Sequence, residues 1–139
     1  MVILNLTQHP ATPDQAAAGV SDPLSGFKAA IVSALNFNSL PDSADIMARA
    51  QALATIATAM ADELVSSGLM GDNHAYQAMI GGAPYLMGAL ERALITRGIF
   101  PVYAFSQRES VEEVQADGSV RKNNVFRHAG FVRAPVAKA

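Results

Sequence analysis

Ala75 to Phe105 reads AYQAMIGGAPYLMGALERALITRGIFPVYAF, and this stretch decides the fold. Ala75–Ile80 is a short, mostly apolar run with the length of a buried strand. Gly81-Gly82-Ala83-Pro84 interrupts it at once. From Tyr85 to Arg97 the apolar residues Leu86, Met87, Leu90 and Leu94 recur at helical spacing. Arg92 and Arg97 fall toward the negative end of that helix, and Gly98 supplies the stop. Phe100–Phe105 is again a buried strand. A strand–helix–strand unit of this length closes as a parallel pair with a right-handed crossover.

Working toward the N-terminus, the same logic repeats. Pro41-Asp42-Ser43 opens the longest periodic segment, in which Ile46, Ala50, Leu53, Ala57, Met60 and Leu64 recur at spacings of three and four. This predicts an amphipathic helix of about 22 residues with one face on the sheet, ended by Gly68. Asn36–Leu40 reads as loop or short strand. Asp22-Pro23 starts a helix that runs to about Leu35. Thr12-Pro13-Asp14-Gln15 carries an N-cap, a proline at the first helical position and a capping-box glutamine, and Gly19 ends that short helix. Val2-Ile3-Leu4-Asn5-Leu6 is the first buried strand.

Toward the C-terminus, Ser106-Gln107-Arg108-Glu109-Ser110 reads as a polar loop after the third strand, followed by a hairpin. Asp117-Gly118 is a two-residue turn signal of the type I′ kind. Closing on it would pair Glu113 with Lys122, Gln107 with His128 and Arg108 with Arg127; two opposed arginines repel unless an anion lies between them. The whole pattern predicts one α/β domain over residues 1–139, Rossmann-like, with a mainly parallel sheet flanked by helices and a C-terminal antiparallel β-hairpin.

Composition excludes several functions. The 139 residues are 50% hydrophobic and 16% charged, with no Cys and no Trp, and mean hydropathy is +0.19. Disulfide scaffolds, thiolate metal sites and cysteine nucleophiles are ruled out. The three His stand in no metal-ligand spacing, so no metal and no cofactor is expected. No run is long and apolar enough to span a membrane, and the start, Met1 to Asn5, has no basic region or signal core, so a cytoplasmic protein is expected. The 26 alanines predict a finely divided core that lets helices approach the sheet closely. Net charge is −2, which argues against duplex-DNA binding. Its distribution is uneven: residues 1–96 hold three Lys/Arg against eight Asp/Glu, and residues 97–139 hold seven against four. A basic end on an acidic body suits a small anionic ligand, or simply a solvated hairpin.

In open α/β sheets ligands sit outside the carboxyl ends of the parallel strands. Three segments meet that description: Thr7-Gln8-His9, Gly81-Gly82-Ala83-Pro84-Tyr85 and Ser106-Gln107-Arg108-Glu109-Ser110. Paired glycines between strand and helix let backbone amides approach a phosphate, although the spacing is neither a Walker loop nor GxGxxG, and a tight turn explains the pair equally well. Imidazole ordinarily titrates near neutrality, which makes His9 a candidate acid or base. His74 reads as a surface turn residue, and His128 as a weaker candidate. Arg108 and Arg127 are candidate phosphate clamps.

From Met79 to Val132 the chain reads MIGGAPYLMGALERALITRGIFPVYAFSQRESVEEVQADGSVRKNNVFRHAGFV. Gly98-Ile99, Pro101-Val102-Tyr103-Ala104, Arg108-Glu109-Ser110-Val111-Glu112, Asp117-Gly118-Ser119-Val120 and Val125-Phe126-Arg127-His128 resemble the C-terminal half of small CRISPR-associated Rossmann-fold proteins of the ring-nuclease type. Asn5-Leu6-Thr7-Gln8-His9-Pro10 and Thr12-Pro13-Asp14-Gln15 are similar to that family's start. The resemblance departs at Gly81-Gly82-Ala83, where that family carries a polar or acidic residue. It implies a homodimer that binds a cyclic oligoadenylate across its two-fold axis and cleaves it without metal, by attack of a ribose 2′-OH on the adjacent phosphorus. Carried onto this chain, His9, Ser106 and Arg108 are the expected catalytic residues. Thr7, Gln8, Gly81, Gly82, Ala83, Tyr85, Gln107 and Arg127 are the expected ligand contacts. Two other readings stand beside it: a nucleotide-binding module without chemistry, and a nucleoside or nucleotide hydrolase that would use Glu109, the one carboxylate near the rim.

Overall fold

The computed structural model describes residues 2–69 and 76–135; His74 and the first residue of the predicted strand 75–80 lie outside them. The elements are β1 (Ile3–Asn5), α1 (Pro13–Ala17), β2 (Val20–Ser21), α2 (Ser25–Leu35), α3 (Ser43–Ser66), β3 (Tyr76–Met79), α4 (Pro84–Thr96), β4 (Ile99–Val114) and β5 (Val120–Arg133). They form a five-stranded sheet in the order β2-β1-β3-β4-β5. β2, β1, β3 and β4 run parallel and β5 is antiparallel to β4. The chain steps from β1 to β2 on one side and to β3 on the other, so the sheet's topological switch point lies between β1 and β3.

Right-handed crossovers put helices on opposite faces according to the direction of the step, and the packing follows. Leu4, Leu6, Ala78, Ile80 and Ile99 meet Ile31 and Leu35 of α2, Ala50, Leu53, Ala54, Ala57, Met60 and Ala61 of α3, and Leu86, Leu90 and Leu94 of α4. On the other face Ile3, Val20, Met79 and Val102 form a smaller group, against which Ala11 and Phe131 pack. The alanines of α3 are buried as the composition predicts, and its periodicity reads correctly because packing on a sheet enforces it.

Local signals account for most boundaries. Thr12 and Gln15 make the reciprocal capping box. Asp42 caps α3 by accepting from the Asp45 amide at 2.8 Å. Gly98, at φ +75, ends α4. Arg49 reaches from α3 to the carbonyls of Ser33, Ala34 and Asn36, closing the C-terminus of α2, and stacks over Phe37 at 4.2 Å.

Three expectations are corrected. α2 begins at Ser25 rather than at Asp22-Pro23, because the Asp22 carboxylate is engaged elsewhere and caps nothing. β4 does not stop at Phe105: Ser106–Ser110 is strand, not loop, since β5 pairs with it along its length. The hairpin register is also shifted by one beyond residue 105. Gln115 and Ser119 pair, leaving Ala116, Asp117 and Gly118 in the turn. Only Gly118 has positive φ, whereas a type I′ turn needs it at both central positions. A bulge at Ala129, between Phe105↔Gly130 and Ser106↔His128, absorbs the shift. Arg108 therefore faces Phe126, Lys122 faces Glu112 and Arg121 faces Glu113. A slip of one residue inverts faces, so Arg108 and Arg127 project from opposite sides of the hairpin and make no clamp.

Candidate functional site

At the switch point, a cleft of about 530 Å³ opens between the loops that follow β1 and β3. Thr7, Gln8, His9 and Pro10 line one side, Ile80, Gly81 and Gly82 another, with Gln15, Tyr103 and Ala104 completing the wall. It is the crevice that the strand order makes.

The β1 loop is built on Asn5, which is 1% exposed and the buried polar side chain of the core. Its Oδ1 accepts from the Thr7 amide at 2.9 Å and from Thr7 Oγ1 at 2.7 Å. Its Nδ2 donates to the His9 carbonyl at 2.9 Å and to Asp22 Oδ1 at 2.8 Å. The same Asp22 oxygen accepts from the Ala11 amide at 2.9 Å. A buried amide costs several kcal/mol unless its groups are paired; here every bond goes to the segment from Thr7 to Ala11 or to the carboxylate that anchors it. The result is a fixed loop that places the exposed His9 at the rim of the cleft, with no hydrogen bond from its ring to the described residues.

The facing loop follows from Gly81-Gly82. Gly82 stands at φ +150, a backbone region L-residues rarely adopt, and a Cβ there would meet Leu35 Cδ2 at 3.5 Å and Met87 Cε at 3.6 Å. At Gly81 a Cβ would meet Thr7 Cγ2 at 3.8 Å, which shows how closely the two loops approach. The Ile80 amide is spent on the Val102 carbonyl, while no backbone acceptor among the described residues takes the amides of Gly81, Gly82 or Ala83. These donors precede the N-terminus of the 13-residue helix α4, which has no side-chain cap. Free amides at a helix start favour an anion.

Tyr103, on β4, closes the wall. Its hydroxyl donates to Glu91 Oε2 at 2.7 Å. Burial, and then the neighbouring carboxylate, push the phenol well above its ordinary range and keep it protonated. Among the described residues no lysine or arginine lines the cleft.

Of the residues singled out from sequence, the structure brings together Thr7, Gln8, His9, Gly81 and Gly82. Ala83 caps α4 just outside the lining. Tyr85 turns to the other side of the helix, edge-on to Phe37 at 5.2 Å. Ser106 and Arg108 continue up β4, and Gln107 and Arg127 lie on the opposite face of the hairpin. Glu109 is bound to Arg127 and does not face the cleft. Asn5, Asp22 and Tyr103 are missed by sequence reasoning, although an asparagine inside the aliphatic run VILNL was a signal: a polar side chain in a buried strand must be paired with something.

The class is therefore an α/β domain with an amide-lined cleft at the carboxyl end of its parallel strands. Within it, the chain belongs to the uncharacterized protein MJ1673 family, whose model matches residues 1–132. Comparison with curated proteins and with solved structures found no match. Among the described residues no helix is long and apolar enough to cross a membrane, and no three His, Asp or Glu side chains converge as a metal site would need.

Proposed function

We propose that the protein binds a cyclic oligoadenylate through a phosphate seated on the Gly81–Gly82 amides, and that two copies share the ligand and cleave it by 2′-OH attack on the adjacent phosphorus. The observation that carries this reading is the meeting of unspent backbone donors and the His9 imidazole across one cleft at the switch point. In-line attack by a neighbouring hydroxyl needs mainly positioning and stabilisation of the charge that develops on the phosphoryl oxygens. Gly81 and Gly82 supply amide donors, and His9 is the group placed to move a proton. Ser106 and Arg108 stand further along β4, where a ligand larger than a mononucleotide extends. The resemblance to ring nucleases supports the choice of ligand.

One observation favours a second reading, binding without cleavage: among the described residues no cation lines the cleft, and a cleaving site benefits from one. Incubation of the protein with cyclic tri-, tetra- and hexa-adenylate, followed by chromatography, separates the two. Cleavage products that disappear in His9→Ala support the nuclease. Saturable binding without turnover, unchanged in His9→Ala, selects the binding module. If no ring is bound or cleaved, both readings fail.

A further inference from the structure

Among the described residues, the face of the sheet that holds Met79 and Val102 carries only the short α1, and from the cleft it runs uncovered onto the hairpin. The register places its residues in order: Ala104 beside Phe131, Ser106 beside His128, Arg108 beside Phe126. Ala104 lines the cleft. His128 lies against Phe131 with ring centroids 4.8 Å apart, and Phe131 packs on the Met79 group. Further along, Phe126 is 67% exposed, and the Arg108 guanidinium lies 5.5 Å from its ring centroid.

Two cations of the hairpin lie over aromatic rings, Arg133 over Phe100 at 4.6 Å and Arg108 over Phe126. Arg127 is bound to Glu109, while Lys122 and Arg121 stand opposite Glu112 and Glu113. Arg108 stands opposite an aromatic ring and forms no ion pair among the described residues. A largely exposed ring, a guanidinium lying over it without an ion pair and a serine hydroxyl beside it suit a nucleobase: the base stacks on the ring or the guanidinium plane, and the donors meet its edge or its phosphate.

From Ala104 to Arg108 the strand climbs about 13 Å. A single nucleotide held at Gly81–Gly82 leaves this strip empty, whereas linked nucleotides reach it. We infer that Phe126 and Arg108, with Ser106 and His128, form a base-stacking subsite for an oligonucleotide ligand whose phosphate occupies the cleft, so that the protein selects linked adenylates over AMP. This rests on the cleft reading proposed above.

The test is isothermal titration of the full chain with AMP and with linear 5′-phosphorylated tri-adenylate, for wild type, Phe126→Ala, Phe126→Tyr and Arg108→Ala. Wild type is expected to bind tri-adenylate about 5- to 150-fold tighter than AMP, the range of one stacked base. Phe126→Ala is expected to remove that gain and leave AMP affinity unchanged, Phe126→Tyr to keep it, and Arg108→Ala to lose part of it. Equal affinity of wild type for the two probes, or a loss in Phe126→Ala that falls equally on both, overturns the subsite while leaving the cleft intact. If neither probe binds wild type, the subsite is overturned, and the cleft reading is decided separately by the cyclic adenylates. If Phe126→Ala changes only the sedimentation of the protein, the strip is an interface between copies and the inference is wrong.

Discussion

The helical body and the hairpin arm follow different rules. In the body, Leu53, Ala54, Ala57, Leu86, Leu90 and Leu94 are held between sheet and helices at no more than 4% exposure, and packing decides every orientation. In the arm, from Ser106 to His128, each strand has only the other for company among the described residues, with Val114 at 77% exposed and Phe126 at 67%. Orientation there depends on register, and register depends on one turn and one bulge. The body thus makes a rigid wall for the cleft, and the arm presents side chains outward from it.

If the contrast is right, truncation should be costly in one region and cheap in the other. Leu90→Ala is expected to lower the unfolding free energy by about 2–5 kcal/mol through the cavity it leaves, while Val114→Ala stays within about 0.5 kcal/mol. Urea denaturation of both variants checks this; similar losses would mean that the arm is packed against something. Between these extremes lies Asn5→Ala. It strands the Thr7 amide and the Asp22 carboxylate, and should cost about 1–3 kcal/mol. It should also weaken ligand binding, whereas Arg49→Ala, which opens the C-terminus of α2 at a cost of about 1 kcal/mol, should weaken binding less.

The arm's register can be broken directly. A double-mutant cycle on Glu113 and Arg121 should give a coupling of a few tenths of a kcal/mol, and a cycle on Glu113 and Lys122 none. The reverse would restore the register that the Asp117-Gly118 turn signal suggests, with Glu113 opposite Lys122. A further prediction concerns Tyr103. Because the fold holds its proton more tightly than the unfolded chain does, its contribution is intact below about pH 10, the ordinary phenol value, and is lost as pH rises above it. Denaturation midpoints between pH 8 and pH 11 should therefore fall more steeply for wild type than for Tyr103→Phe, with Tyr76 and Tyr85 common to both.

The same contrast explains what was legible in the sequence. α3 and α4 could be read from Ile46–Leu64 and Leu86–Leu94 because burial against a sheet stamps a period on the chain. Gly81-Gly82 marked the cleft because a tight strand-to-helix turn demands residues without Cβ. The arm misled because its polar and apolar residues alternate under no packing constraint, so Ser106–Ser110 looked like a loop and Asp117-Gly118 admitted two turn geometries. Asn5–Asp22 was hidden because its bonds join residues 17 positions apart, a pairing that no local pattern encodes.

Amide NMR of the protein titrated with cyclic tetra-adenylate bears most directly on the central claim that the switch-point cleft holds the ligand's phosphate. The amides of Gly81, Gly82 and Ala83 should shift saturably, together with that of Thr7 across the cleft. Saturable shifts confined to the arm, or none at all, would contradict it.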